Sequence, residues 1–307
     1  MGRSLNKSNV NGWIILDKPK GKTSFQAVKE VRRILSAKKA GHAGTLDPLA
    51  TGILPIALGE ATKTIPYLMD SLKAYHFTVR WGEDRDTNDS EGSTIATSPN
   101  RPSKTEIKNI LHKFKGNIKQ TPPKYSALKV NGQRAYKLAR ANEMVHLAPR
   151  SIAIENIELL QIIDQDYAEF SVISGKGAYM RSLARDLGSE LDTLGHISAL
   201  RRLKVGPFQE KDSISLDSLG ALAHSPAKYE HLLPIQTALD GIPALDLSGD
   251  EADRLRCGRS IPLNQLERNR GEFSQENSLL YATSCGKLVA ISVVEGDSIK
   301  PVRVLNL

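Results

Sequence analysis

Long apolar runs are missing from these 307 residues. None approaches the roughly 20 residues needed to cross a bilayer, and the N-terminal MGRSLNKSNV lacks the apolar segment of a secretory signal. The expectation is a cytoplasmic protein with no membrane contact. Cysteine is scarce as well. Cys257 and Cys285 are the two present, with no Cys-x-x-Cys pair or clustered histidines near them. That excludes a disulfide framework and a zinc site, and it predicts buried free thiols. A dinucleotide fingerprint, a phosphate loop and a metal-ligand cluster are all lacking, so neither cofactor nor metal is expected. Repeats with a period of about 20–50 residues are lacking too, which removes solenoid architectures.

What the chain does contain is ordinary globular composition, 40% hydrophobic and 25% charged. Its length suits a larger body with a smaller appendage. The net charge is +8, and its distribution is uneven. Residues 1–40 hold ten Lys/Arg against Asp17 and Glu30, and residues 101–150 hold twelve against Glu106 and Glu143. Between them Glu83–Glu91 (EDRDTNDSE) is acidic. Localised cations of this kind are the footprint of a polyanion-binding surface, or else a solvated Lys/Arg face.

Helix and strand signals alternate along the chain. Trp13–Leu16 is a short apolar strand. Thr23 and Gln26 form a capping-box signature, after which Phe25, Val28, Val31 and Leu35 recur at helical spacing. A glycine-rich loop, GHAGTLDPLATG (Gly41–Gly52), leads into an apolar strand, Ile53–Leu58, and a helix near Glu60–Met69. Tyr75, Phe77, Val79 and Trp81 alternate with polar residues, the period of a half-buried strand ending at Gly82. Residues 103–115 read as an amphipathic helix, and Gln120–Arg140 as an exposed, basic, proline-started arm. Strands follow at Ile152–Ile163 and Ala168–Ile173, then a helix opening near Ala178. Residues 213–240 read as a linker and 242–307 as a small β-rich domain. The order is α+β rather than regular βαβ.

The loop Gly41–Gly52 carries the most information. Its three glycines reach backbone conformations closed to other residues, and Pro48 biases Asp47 toward extended geometry, so a carboxylate can be presented at a sharp bend. Asp-Pro is also a common turn initiator, and Asp47 could simply cap its own turn. The longer stretch HAGTLDPLATGILPIALGEATK (His42–Lys63) resembles, almost residue for residue, the catalytic motif of TruB-type pseudouridine synthases. GWIILDKPKGKTS (Gly12–Ser24), KAYHFTVRWGEDRDTNDSEG (Lys73–Gly92), GKGAYMRSLARDLG (Gly175–Gly188) and HISALRRLKVGPF (His196–Phe208) support it in family order, over roughly residues 11–210. Gly175 and Ala178 depart from the pattern, standing where the family more often has Ser and Thr.

This resemblance implies a pseudouridine synthase catalytic fold over residues 1–240, a mixed, largely antiparallel sheet flanked by helices, with a thumb-like arm at about 120–150. Residues 241–307 resemble a PUA-like RNA-binding domain. The implied reaction is isomerisation of a T-loop uridine of transfer RNA (tRNA) by base flipping, without cofactor, guide RNA or obligate protein partner, by a monomer. Asp47 is implied as the catalytic carboxylate, whether it attacks the base, attacks the sugar or promotes elimination. Arg181 is implied to pair with it; alone, it reads as a solvated arginine at a helix start. Tyr75 is implied to stack on the target base and to take part in proton transfer as a catalytic residue, although on periodicity alone it reads as core. His42 is implied to fill the space left by the flipped nucleotide, Lys18 to order the pocket, and Tyr179 and Leu200 to line it. Lys124, Lys129, Arg134 and Lys137 are the arm cations implied to touch RNA. A guide-dependent, dyskerin-like relative and an RNA chaperone with an incidental carboxylate are the competing readings. The long arm argues against the first, and the joint presence of Asp47, Tyr75 and Arg181 against the second.

Overall fold

The computed structural model describes residues 9–130, 132–141, 143–266 and 278–307. The chain opens with strand β1 (Gly12–Lys18), helix α1 (Ser24–Ile34), β2 (Ala40–His42) and β3 (Thr51–Leu58), then α2 (Ile65–Met69), β4 (Lys73–Trp81) and a hairpin of β5 (Glu83–Arg85) with β6 (Thr94–Thr97). Helix α3 (Lys104–Ile110) and β7 (Gly116–Gln120) lead to the arm, made of β8 (Lys129–Val130), β9 (Gln133–Arg134) and α4 (Ala135–Arg140). Next come β10 (Arg150–Ile162), β11 (Tyr167–Ser174), α5 (Met180–Glu190), β12 (Gly195–Val205), β13 (Phe208–Gln209), β14 (Ser213–Ser215) and α6 (Leu216–Ala221). The C-terminal part contains β15 (Ala244–Asp246), α7 (Gly249–Arg256), β16 (Ile261–Pro262), β17 (Leu279–Ser284), β18 (Lys287–Glu295) and β19 (Ser298–Val304).

The large sheet runs β14-β1-β3-β12-β4-β11-β10-β7, with β13 beside β12 and β2 beside β3. Only β1–β14 and β3–β12 are parallel, so the mixed, largely antiparallel sheet is as expected. Strand β4 shows why. Its inward positions Phe77, Val79 and Trp81 are buried against Phe170 of β11, while His76, Thr78 and Arg80 face outward. A second sheet, β15-β17-β18-β19-β16, forms the small β-rich part. Its Leu288 and Ile291, with Leu305, join one apolar cluster with Trp13, Ile15, Ile53 and Phe208 of the body. Lys63 adds a hydrogen bond to the Val304 carbonyl at 2.7 Å, and Glu60 accepts the Asn306 N–H at 2.8 Å. No helix among the described residues is long and apolar enough to cross a membrane.

Several expectations need correction. The capping box forms, but α1 packs with Ser24, Ala27, Val31 and Ile34 pointing inward. Phe25, about 100° round from Ser24, is therefore 75% exposed. The helix expected near Glu60–Met69 is a 3₁₀ segment, Gly59–Thr64, followed by the single α turn of α2, whose start carries Pro66. The stretch 213–240 is no linker. Strand β14 pairs with β1, Leu216 and Leu219 are buried, and Leu233 exchanges backbone hydrogen bonds with Trp13 at 2.9 and 2.7 Å. Both thiols are exposed rather than buried, Cys257 because it caps the end of α7 and Cys285 because it stands in the β17–β18 turn with φ of 49°.

Gly52, the second residue of β3, has φ of 95°, and a Cβ there would lie 2.2 Å from the Arg202 carbonyl oxygen. Both the backbone angle and the close approach require glycine. Gly52→Ala should therefore lower the unfolding free energy by at least about 2 kcal/mol, read from urea denaturation midpoints. A midpoint equal to wild type would show that β3 and β12 can separate freely at this point.

Candidate active site

Asp47 lies in the turn between β2 and β3, and its neighbours are held from below. The buried Ser24 hydroxyl donates to the Leu46 carbonyl at 2.9 Å and accepts the Leu46 N–H at 2.8 Å. Lys18 is fully buried, and its ammonium donates to the carbonyls of Pro19, Lys22 and Pro48 at 2.8, 2.7 and 3.3 Å. The Gly21 N–H also donates to Pro48, at 2.8 Å. Residues on both sides of Asp47 are thus fixed, while its own side chain stays one-third exposed. Burial lowers the Lys18 pKa to about 8, against the opposing pull of Asp47 and Glu91.

Arg181 reaches Asp47 from the first turn of α5. Its Nη2 donates to Oδ1 at 3.2 Å, and Nε stands 2.9 Å from Oδ2, close enough for an ion pair but poorly aligned for a hydrogen bond. The guanidinium is 5% exposed. Nη1 donates to the Thr87 carbonyl at 2.9 Å and Nη2 to the Tyr125 carbonyl at 2.8 Å. Behind it lies Asp89, also buried, with Oδ2 3.6 Å from Nε and Oδ1 held by the Thr87 hydroxyl at 2.6 Å and the Glu91 N–H at 3.0 Å. Two carboxylates therefore face one buried cation.

Asp47, Tyr75, Tyr179, Arg181 and Leu200 line a single cavity of about 250 Å³, of the scale of a small-molecule site. Tyr75 is half-buried, and Arg202 is its cross-strand partner from β12. Arg202 is fully buried and donates to the carbonyls of Ile53 at 2.8 Å and Gly44 at 3.0 Å. Burial pulls its pKa down and Tyr75 pushes it back. Gly175 and Ala178, the departures from the family pattern, also line the cavity. Burial raises the Tyr179 pKa, so this phenol stays protonated at neutral pH. Lys18 lies behind the loop. His42 lies at the end of β2, outside the cavity lining; its Nδ1 is buried without a protein partner, and burial, then Arg202, lowers its pKa.

The arm has its own small core of Ala135, Ala139 and Val145, packed with Tyr125, Val130, Leu138 and Leu147. Lys124, Lys129, Arg134 and Lys137 are all exposed on it. Its root is fastened to α5. Gln120 exchanges two side-chain hydrogen bonds with the Tyr179 backbone, at 3.1 and 2.8 Å, and the Thr121 carbonyl accepts from Ser182 at 2.8 Å and Arg185 at 2.9 Å. Sequence reasoning did not single out Asp89, Gln120, Arg202 or Lys73. Asp89 reads as surface acid within EDRDTNDSE, although TNDSEG lies in a quoted motif. Lys73 is buried at the cavity and donates to the carbonyls of Met69, at 2.6 Å, and Ser71.

Models of two domains match this chain: the TruB family pseudouridylate synthase N-terminal domain over residues 32–180, and the tRNA pseudouridylate synthase B C-terminal domain over residues 181–240. A Bradyrhizobium diazoefficiens protein named tRNA pseudouridine synthase B is 51% identical over 98% of this chain and 87% of its own length. A Rhodospirillum rubrum protein of the same name is 49% identical over 100% of both. Among solved structures, an H/ACA RNP bound to a substrate RNA containing 2'-deoxyuridine superposes with a TM-score of 0.74 at 22% identity, covering 96% of this chain and 85% of that one. Fold and family models together make this chain an enzyme, a pseudouridylate synthase. Within that class it belongs to the TruB family.

Burial lowers the Lys73 pKa to about 8, with Arg202 adding to the shift and Asp70 opposing it. The ordinary value is 10.5, so the folded protein releases this proton before the unfolded chain does. More protons are bound in the unfolded state between those values, and folding stability rises with pH there. Lys73→Met should flatten the rise in urea midpoint that wild type shows from pH 8 to about 9.5. An identical slope in both proteins would show that Lys73 titrates normally.

Proposed function

We propose that this enzyme isomerises a T-loop uridine of tRNA to pseudouridine, with Asp47 as the catalytic carboxylate and no guide RNA. The observation that carries this reading is the Asp47–Arg181 pair at the floor of a cavity that Tyr75, Tyr179 and Leu200 complete. The tRNA substrate is supported by the names of relatives about 50% identical over almost the whole chain. In the reaction the bond from ribose to ring nitrogen breaks, the uracil turns, and ribose is rejoined to a ring carbon. A proton leaves that carbon and one ends on the nitrogen, so the change is redox-neutral.

A base inside an RNA stack is out of reach of a sunken carboxylate, so the uridine is flipped into the cavity, at the cost of unstacking. Tyr75 and Leu200 then contact the uracil, and Tyr179 bounds it. The positive charge of Arg181 favours the ionised form of Asp47 in a site where desolvation would otherwise favour the acid. Lys18 keeps the Asp47 turn in place from behind, and His42 shapes the RNA next to the flipped nucleotide. Lys124, Lys129, Arg134 and Lys137 meet backbone phosphates, which fix the substrate without reading its sequence. Residues 1–240 form the catalytic body, and residues 241–307 a PUA-like RNA-binding domain. The enzyme works as a cytoplasmic monomer with no obligate protein partner.

Asp47→Asn keeps the shape of the side chain and removes its charge. It should lower the single-turnover rate of pseudouridine formation by more than about a thousandfold (more than about 4 kcal/mol in barrier), while the Kd for tRNA changes less than about threefold. Turnover near the wild-type rate would remove Asp47 from the chemistry. A stand-alone enzyme must also read the folded RNA through its own surface. Purified protein should therefore convert one uridine in an isolated T-arm hairpin, lose activity when one strand of the stem is mutated, and regain it when pairing is restored with another sequence. A hairpin left unmodified until guide RNA or a partner protein is added would establish the guide-dependent alternative.

A further inference from the structure

Phe25 stands out among the described phenylalanines. Phe77, Phe114, Phe170 and Phe208 are all buried, whereas Phe25 is 75% exposed. A single exposed apolar side chain is ordinary; its company is what matters here. Lys29, Arg32 and Arg33 follow at i+4, i+7 and i+8, the spacing that puts them on one stripe of α1, and all are exposed. The first turn of α1 contains no acidic residue. Lys22 is tied to Glu30 at 2.7 Å, but Lys20, Lys29 and Arg33 enter no ion pair among the described residues. These charges are left for something outside the chain.

The stripe is anchored to the active site. Phe25 follows Ser24 directly, and the Ser24 hydroxyl holds both backbone groups of Leu46, the neighbour of Asp47. From there α1 leads away over 11 residues, about 16 Å. An exposed aromatic ring one residue from the side chain that holds Leu46, continued by Lys29 and Arg33, which enter no ion pair among the described residues, and by Arg32, whose Nε donates to the Ala37 carbonyl at 3.3 Å, has the chemistry of a single-stranded nucleic-acid platform: a ring for a base and charges for the following phosphates. A protein partner would call for a broader apolar patch around Phe25, and its exposed helical neighbours are Gln26, Lys29, Arg32 and Arg33.

We propose that Phe25 is a stacking platform for an unpaired base of the substrate RNA beside the reacting uridine, and that Lys29, Arg32 and Arg33 continue the contact along its backbone. This surface is separate from the arm. The inference rests on RNA being the substrate, so binding and conversion are to be measured separately. The experiment compares the full-length wild type with Phe25→Ala, Phe25→Leu and Phe25→Tyr. A labelled tRNA transcript gives affinity by fluorescence anisotropy, and saturating enzyme gives the single-turnover rate. Alanine and leucine should weaken binding about five- to a hundredfold with the saturating rate unchanged, and tyrosine should bind like wild type. Wild-type affinity in Phe25→Ala overturns the platform. Wild-type affinity in Phe25→Leu overturns stacking, because apolar contact alone would then suffice. A wild-type protein that binds the transcript without forming pseudouridine counts against the proposed substrate, and the affinities still decide the platform. No binding at all overturns both.

Discussion

A guanidinium taken out of water costs several kcal/mol unless acceptors surround it, and Arg181 meets that condition only when four distant segments converge. The catalytic turn supplies Asp47, the acidic hairpin loop supplies the Thr87 carbonyl and Asp89, the arm root supplies the Tyr125 carbonyl, and α5 carries the arginine itself. Each contact is modest alone. Together they make the position of Asp47 a property of the whole body rather than of its loop. A bidentate-capable fork is needed for this, and lysine, as a point charge, could not satisfy acceptors in so many directions.

The same neutralisation shapes how the protein meets RNA. Lys18, Lys73, Arg181 and Arg202 are all buried, and their donors are engaged by carbonyls and carboxylates of the protein. Little of their charge is left to attract a polyanion. Long-range attraction must come from exposed cations on the arm and on α1, where field lines reach solvent. On the proposed function, binding and chemistry fall to different sets of basic residues, one solvated and salt-sensitive, the other buried and screened little by salt.

The sequence exposes those features that local physics alone decides. The β4 alternation holds because one face of that strand packs on Phe170, and the capping box at Thr23 and Gln26 forms from residues three apart. Asp47 and Arg181 are legible through motif resemblance, since nothing local reveals that residues 134 apart in sequence will meet. The misreadings arise where tertiary context prevails. Phe25 has the right spacing for a core helix face, yet the Ser24–Leu46 hydrogen bonds rotate α1 and turn it outward. Strand β14 is too short and too polar to announce itself, and becomes a strand only because β1 offers it an edge. Asp89 looks like one acid among several, because its burial depends on an arginine far along the chain.

The apolar cluster shared by the two sheets governs the order in which the protein can become soluble. Trp13, Ile15, Ile53 and Phe208 lie on the face of the large sheet covered by Leu288, Ile291 and Leu305. While a ribosome is still delivering the chain, that face is covered only in part, by Leu233, Ile235, Ala238 and Leu239, until residues 288–305 emerge, long after the Asp47 turn has been made. A newborn body would meanwhile present aromatic and aliphatic surface of the kind that drives aggregation or recruits chaperones. Message truncated ahead of these last strands would yield a body with Asp47, Tyr75 and Arg181 all encoded and part of one sheet face uncovered.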